Sequence, residues 1–478
     1  MKKLIAMLLS FVMLTSLVAC GNSSNTSSPE EPVAPAAETE ASDQGDTPQS
    51  GEVLEVSFWS APNQQQFDFW SAKAEAFNGT NTQVNGNTIK VMVQQMPETP
   101  SSEAGIQNAI ATGTVPAASE NINVGFAAVL AESQAVYALE EEAWYQEICA
   151  NRTISESMLT GWEVDGSQYV IPLFINPMSL QWNKKALDAL EVEVPVTVEE
   201  FNQVIQAFMD NKDGSMAELG VTHTFYRPAL LRGDQWWERW YDFQMQYQSF
   251  SGGKNWVEGD NLVLDEEAAK KVFELYGNLG NTIMTGEINP LWTESTVPIL
   301  FSISAPWEVN LLEENGKVYG EDYVYGPALV EKAGDTAYSF ADSKGIVFYK
   351  NNAISDDQHQ GVAEFIKWVY SGENADQSDL DWWLTTNMMP VRSDLSTNAV
   401  FSTITSELPA LAGIAEYIPN AVPCMSHPKM TEIQTALADS GLSAYVLETT
   451  NLAPFQAPDA TEYVTQAMDA MRAAGGLK

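Results

Sequence analysis

Val53-Leu54-Glu55-Val56-Ser57-Phe58-Trp59 reads as a β-strand, an unbroken run rich in β-branched and aromatic residues. Behind it Phe67, Trp70, Ala74 and Phe77 recur at spacings of three and four, which predicts a helix with one apolar face. Ile89, Val91 and Val93 then alternate as a second strand. Strand, helix and strand in one short stretch make a β-α-β unit. Such a unit implies parallel strands joined by a helical crossover.

The same mixture continues downstream. Residues 106–110 read as helix, 121–124 as extended chain and 127–134 as helix again. The middle is richer in helix. Thr197-Val198-Glu199-Glu200 is a capping box, in which Thr197 accepts from the backbone N–H of Glu200 and Glu200 reaches back. Phe201, Val204, Ile205 and Phe208 follow as one apolar stripe. Asp265 suits the N-cap of a helix with Ala268, Val272, Phe273 and Tyr276 inside. Val362, Phe365, Ile366 and Val369 mark another helix, with Gly372 expected near its C′ position. Ile346-Val347-Phe348-Tyr349 is a late strand, and residues 460–474 form a final amphipathic helix. Strands and helices mixed along the whole chain give an α/β class, without a repeat of solenoid period.

Upstream of Val53 the chain is of another kind. Lys2 and Lys3 precede an apolar run over residues 4–14, and Leu17-Val18-Ala19-Cys20 closes it. A basic start, a short apolar stretch and small residues before a cut are the parts of a secretory signal. The run is shorter than the roughly 20 apolar residues of a spanning helix. Leu17-Val18-Ala19-Cys20 resembles a lipobox, so residues 1–19 are expected to be removed and Cys20 to carry a diacylglyceryl group. An ordinary cleaved signal with a chance cysteine is the alternative. Within residues 20–51, the chain after Cys20 is Gly, Asn, Ser, Thr, Pro, Ala, Gln, Glu and Asp, with Val33 as the one larger aliphatic residue. Such a segment buries too little apolar surface to offset its ordering entropy, and its carboxylates keep it extended as a disordered acidic tether.

The remainder, about 425 residues, is long enough for two domains. The whole chain is 45% hydrophobic with 14 Trp, 16 Tyr and 19 Phe, enough for large cores. Its formal charge is -41, which argues against nucleic acid and anionic membrane surfaces as partners. Apart from Cys20 there are Cys149 and Cys424, which either pair or stand as two buried thiols. There is no CxxC and no HExxH, and His223, His359 and His427 stand far apart, so no metal or other cofactor is expected.

Several short elements then occur in a telling order. Gly113-Thr114-Val115-Pro116 resembles a G-x-x-P-D element, with Ala117 in place of the Asp. Asp165-Gly166-Ser167-Gln168-Tyr169-Val170-Ile171-Pro172 resembles D-G-K-x-Y-x-x-P, and Met178-Ser179-Leu180-Gln181-Trp182-Asn183-Lys184 resembles the L-x-Y-N-K that follows it. Pro195-Val196-Thr197, Ser304-Ala305-Pro306-Trp307 and Met389-Pro390-Val391-Arg392 resemble P-x-T-W, G-P-W and L-P-x-R. Together they resemble the bacterial extracellular solute-binding proteins of family 1, the maltose-binding-like sugar receptors of ABC importers. The resemblance covers nearly everything from Val53 onward. It implies a two-lobed periplasmic-binding-protein-like fold of type II, with a ligand cleft between discontinuous lobes. One lobe would comprise residues 52–174 and 345–409, the other 175–344 and 410–478. The chain would cross between them near residues 174–177, 340–345 and 409–419. A lipid anchor in the outer leaflet of the cytoplasmic membrane would hold this monomer on the extracellular face, beside ABC transporter permease subunits. The receptor would make and break no bond.

A carbohydrate ligand needs aromatic plates for its C–H faces and amides or carboxylates for its hydroxyls. By position under the resemblance, Trp59, Asn63 and Gln64 follow the first strand at the cleft mouth, and Asn123 and Phe126 follow the strand after the G-x-x-P element. Asn176 lies just beyond Pro172, Trp236 and Trp237 sit in a loop that carries a stacking aromatic, Trp307 matches the G-P-W tryptophan with Glu308 in support, and Asp342 lies at the second crossing. Trp182, Trp240 and Trp368 are assigned to cores, Trp382 and Trp383 to packing within a lobe, and Arg392 to structure. The aromatic supply favours an oligosaccharide. Alternatives are the same fold with a peptide or polyamine, or a secreted glycosidase, which needs two carboxylates roughly 5–10 Å apart; no G-x-S-x-G is present.

Overall fold

Parallel pairing begins where the opening strand meets its crossover partner. In the computed structural model, which describes residues 51–99, 101–226, 241–285, 299–395, 397–425 and 427–478, β1 (Val53–Ser60) runs parallel to β3 (Asn87–Gln95), with Val53 opposite Thr88 and Ser60 opposite Gln95. The crossover is α1 (Gln64–Gly79), and a short β2 (Gln83–Val84) lies on the outer edge of β3. On the other side of β1 lies β4 (Ala118–Ile122), also parallel. The signal and tether, with Cys20, lie outside the described residues. Among those residues no helix is long and apolar enough to cross a membrane.

The face that α1 buries is set by its cap. Asn63 Oδ1 accepts from the backbone N–H of Gln65 and of Gln66, fixing where the helix starts. With that phase Gln66, Phe69, Trp70, Ala74 and Phe77 turn inward, while Phe67 is only half-buried. Phe69 thus takes the place expected of Phe67. Trp70 packs on Phe58 at 4.6 Å between ring centroids, and Phe69 on Trp382 at 5.1 Å. Trp382 belongs to α8 (Glu373–Thr386), which follows α7 (Asp356–Val369). Gly372 heads α8 rather than closing α7, whose C-cap is Tyr370.

Two sheets organise the two lobes. The first has seven strands, in the order β12–β11–β4–β1–β3–β2 with β5 paired to β11. Here β5 is Ile171–Pro177, β11 is Ser339–Phe348 and β12 is Ala421–Val422. The second has five strands, in the order β8–β7–β9–β6–β10. These are β6 (Ser179–Asn183), β7 (His223–Tyr226), β8 (Ile283–Met284), β9 (Ile299–Ser304) and β10 (Tyr323–Gly326). Its core stacks Phe225 on Phe301 at 4.7 Å and Trp182 on Phe301 at 5.0 Å. Around it lie α4 (Val198–Asp210), entered through the Thr197–Glu200 capping box, and α6 (Glu266–Gly277), capped by Asp265. The closing helix, Thr461–Gly475, packs against the helix Met430–Leu437.

The passages between the sheets are hydrogen-bonded to each other. β5 and β11 form an antiparallel ribbon with Asn176 opposite Asp342 and Phe174 opposite Lys344. β5 leads through Met178 directly into β6 of the other sheet, and β11 follows β10 in returning from it. The register slips between Lys344 and Gly345. No side chain fits there, since a Cβ on Gly345 would stand 2.2 Å from the Ile171 carbonyl oxygen. A third stretch, the helix Pro409–Ala415, lies against β10 before β12 rejoins β11.

The root of β5 is pinned by buried charge. Arg152 donates to the Leu173 carbonyl at 3.0 Å, to the Pro172 carbonyl and, through Nε, to both oxygens of Asp379 at 3.1 Å. Arg392 shares Asp379 at 3.1 Å and also holds Asp394 and Asp376. Arg392 is therefore structural. Cys149 and Cys424 are both buried and both free.

Candidate functional site

Parallel strands expose their carboxyl ends on one edge of a sheet, where the following helices begin with unpaired N–H groups. β1 and β4 both end there. Trp59 is the penultimate residue of β1, buried and paired with Ser119 and Gln94. Asn63 caps α1, and the exposed Gln64 begins it, with its amide donating to Asp68 at 2.7 Å. At the neighbouring corner Asn123 caps α3 (Val124–Glu132), its Oδ1 accepting from the Phe126 N–H at 2.8 Å. Phe126 itself is buried. The caps occupy the carbonyl oxygens of Asn63 and Asn123, so each has its amide NH2 to offer a ligand.

Between these corners sits Glu120, a residue the sequence reading passed over. It lies on β4 and is fully buried. Its Oε1 accepts from the Ala61 N–H at 2.9 Å and its Oε2 from the Gln66 side-chain amide at 3.0 Å. The available signal was a lone carboxylate inside Ala117-Ala118-Ser119-Glu120-Asn121-Ile122, among small and apolar residues directly behind the G-x-x-P-like element.

A second group gathers at the far end of the β5–β11 ribbon. Asn176 is fully buried, and its Oδ1 accepts from the Met389 N–H at 3.0 Å. Asp342 stands opposite it, half-buried. Three residues beyond Asn176, Ser179 begins β6 opposite Ser304 of β9. Ser304 Oγ donates to Glu308 Oε2 at 2.7 Å. Glu308 and Trp307 belong to the 3₁₀ turn Pro306–Glu308 that follows β9, and Trp307 is half-buried against the core. Tyr325 of β10 lies beside Ser304 and Glu308, and burial lifts its hydroxyl well above the ordinary value, so it remains a neutral donor. Asn176, Trp307, Glu308 and Asp342 therefore cluster where the chain leaves one sheet and enters the other. Trp236 and Trp237 lie outside the described residues.

Here the buried Asn176 Nδ2 and the Ser179 Oγ find no partner among the described residues, while Ser343, opposite Ile175, lies on the other face of the ribbon. Each such atom costs about 1–3 kcal/mol until something bonds it. Cys424 is close enough for the Asp342 charge to act on it; burial, helped by that charge, pushes its thiol up to about 12, so it stays protonated. A separate groove of about 710 Å³ runs between α4 and α6, lined among others by Asn202, Gln206, Glu274 and Asn278. No candidate residue lines it. The ribbon cluster is the better site on chemistry, because it presents orphaned donors rather than the solvated faces of two helices.

Amides, hydroxyls, carboxylates and indole rings can hydrogen-bond and stack. Among the described residues no group of three His, Cys, Asp or Glu side chains gathers to hold a metal ion.

The comparisons with known proteins agree with this architecture. An uncharacterized protein of Listeria monocytogenes EGD-e superposes with a TM-score of 0.73 at 28% identity, covering 88% of this chain and 98% of that one. The cyclic alpha-maltosyl-1,6-maltose binding protein of Arthrobacter globiformis gives 0.69 at 13% identity, over 88% and 99% of the two chains. UgpB of Mycobacterium tuberculosis, in complex with glycerophosphocholine, gives 0.64 at 15% identity, over 88% and 98%. No curated protein sequence matches the chain. A family model described as bacterial extracellular solute-binding protein matches residues 72–410, well over half of the sequence. With two sheets bridged by a ribbon and polar groups gathered at its end, the chain belongs to the bacterial extracellular solute-binding proteins.

Proposed function

We propose that this protein is the extracellular receptor of an ABC importer, that it captures a carbohydrate between its lobes, and that it passes the sugar to the permease subunits. The lobes are residues 52–174 with 345–409 and residues 175–344 with 410–478. Trp59, Asn63, Gln64, Asn123 and Phe126 act from the first, and Trp236, Trp237, Trp307 and Glu308 from the second. Asn176 and Asp342 act at the ribbon between them. Cys20 carries the lipid anchor of a monomer.

The observation that carries this reading is the buried Asn176 Nδ2 with no partner among the described residues. An amide donor there suits a hydroxyl oxygen. It does not suit a polyamine, which brings only donors and positive charge. A hydroxyl also matches Ser179, because a sugar O–H both donates and accepts. Since only a ligand with better contacts in the closed form shifts a clamp, contacts from both lobes are the physical requirement for closure.

The test is a melting-temperature panel on the mature chain with oligosaccharides, glycerophosphocholine, peptides and polyamines. A bound ligand stabilises by RT ln(1 + [L]/Kd). An oligosaccharide is expected to give the largest increment and to remain intact. Stabilisation by another class alone would replace the carbohydrate, and release of reducing sugar would turn the receptor into a glycosidase.

A further inference from the structure

The groove between α4 and α6 has a feature that its solvated walls do not explain. Phe455 stands on its lip, 40% exposed, with a φ of 63°. A bulky side chain rarely adopts that left-handed backbone, which costs free energy. Pro454 precedes it in the turn, a pattern that favours glycine or asparagine where Phe455 stands. A ring this exposed gains little from burial to offset the strain. We propose that the groove is a second ligand site, for a neutral saccharide, with Phe455 as its stacking plate.

The plate is held by backbone before anything binds. The Phe455 N–H donates to the carbonyl of Asn278, the C-cap of α6, at 2.9 Å. Three residues earlier the Leu452 carbonyl accepts from the Asn281 N–H at 2.8 Å. A Cβ on Gly280 would stand 2.6 Å from that same carbonyl oxygen, so the loop sits directly on the turn that follows α6. A ring fixed in advance loses little entropy on stacking.

The rest of the groove supplies the other half of saccharide recognition. Val198, Phe250 and Leu275 give it apolar lining for C–H faces. Asn202, Gln203 and Asn278 bring side-chain amides, which both donate and accept as hydroxyls require. Lys271 is paired with Glu331, and Glu199 and Glu274 add negative charge, so an anion is disfavoured. Glu274 already has Lys270 at 3.8 Å, which weakens its hold on a cationic ligand. The volume of about 710 Å³ lies within the range of small-molecule sites. Because these amides are solvated when nothing is bound, the site is weaker than one built on orphaned donors. No residue assigned to the cleft lines the groove, so the two sites stand or fall separately.

The experiment follows the methyl groups of Val198 and Leu275 by NMR in the mature chain, titrated with maltotriose and, separately, with spermidine. Maltotriose is expected to move both methyls with a Kd on the order of 1 mM. Phe455→Gly suits the backbone and removes the ring, and is expected to raise that Kd about tenfold. The melting temperature of the unliganded variant is expected to stay within about 2 °C of the parent, because released strain and the freedom of glycine in the unfolded chain offset. Phe455→Asn, the other residue that suits this backbone, serves if Phe455→Gly does not fold. Phe455→Tyr keeps a plate and is expected to bind like the parent. Trp307→Ala, in the cleft, is expected to leave the groove shifts in place. Methyls that ignore maltotriose overturn the site, and shifts from spermidine alone overturn its ligand class. An unchanged Kd in Phe455→Gly overturns the plate. A collapsed melting temperature in both Phe455→Gly and Phe455→Asn makes the ring structural and overturns it too. Groove shifts that vanish in Trp307→Ala report closure of the cleft instead, so that the second site falls while the receptor reading stands.

Discussion

The two ends of β5 are built in opposite ways. At its root, Pro172 and Leu173 give their carbonyls to Arg152, whose guanidinium and that of Arg392 share Asp379 in the buried interior. At its tip, four residues on, Asn176 leaves a buried amide nitrogen without a partner among the described residues, and the Ser179 hydroxyl beyond it does likewise. One strand runs from a charge network whose ions are all paired, although the Tyr370 hydroxyl beside Arg152 has no partner among the described residues, to a tip where the Asn176 amide nitrogen has none. Buried polar groups left incomplete are costly, and they persist where something else completes them. The root fixes the ribbon, and under the proposed function a ligand completes the tip.

The root should therefore dominate stability. Asp379→Ala leaves two buried guanidinium groups facing each other without their shared carboxylate. The expected loss is about 3–5 kcal/mol in urea unfolding followed by tryptophan fluorescence. A loss under about 1 kcal/mol would mean that water reaches the root and that the two ends are less different than the burial of Arg152 and Asp379 indicates. Gly345→Ala tests the link between them. The added Cβ would sit against the Ile171 carbonyl, so the ribbon must shift, at about 1–3 kcal/mol. Small-angle scattering with and without ligand should then show a smaller change in radius of gyration than in the parent.

What the sequence disclosed follows the same division between local and distant causes. The Val53-to-Val93 β-α-β unit, the Thr197 capping box, the Asp265 cap and the final helix all depend on neighbours a few residues away, and all are present. Phe67 was expected inside where Phe69 lies, because both fit a helical stripe and only the Asn63 cap decides the phase. Gly372 was read as a stop because glycine closes helices, but it heads the next one. The ribbon joins residues more than a hundred positions apart, so no periodicity announces the pairing of Asn176 with Asp342. Glu120 carries no local signature beyond being a charge among small residues. Its importance comes from Ala61 and Gln66, which reach it through the fold.

On the ligand side, Trp307→Ala is expected to weaken carbohydrate binding by about 1–3 kcal/mol in calorimetry, the range of one stacked or buried ring. Melting of the free protein should move much less than the ligand-induced increment. Unchanged affinity beside a collapsed melting temperature would assign Trp307 to the core and leave the tip with polar contacts alone.

The smallest effect on the free protein should come from Asn176→Ala, and it is the sharpest test of the contrast. The substitution removes a nitrogen that has no partner among the described residues and an oxygen that accepts from the Met389 N–H. Losing the second leaves the buried Met389 N–H without its acceptor, at about 1–3 kcal/mol, and losing the first relieves a desolvated donor of similar cost, so the two largely offset. The unliganded variant should therefore lie within about 1 kcal/mol of the parent, far from the effect at Asp379. In the liganded state the balance reverses, because the same nitrogen then holds a hydroxyl that Ala cannot reach. The ligand-induced rise in melting temperature should shrink while the unliganded melting temperature stays nearly constant. An equal drop in both would show that the Asn176 amide serves the ribbon rather than the ligand, and that the tip is as structural as the root.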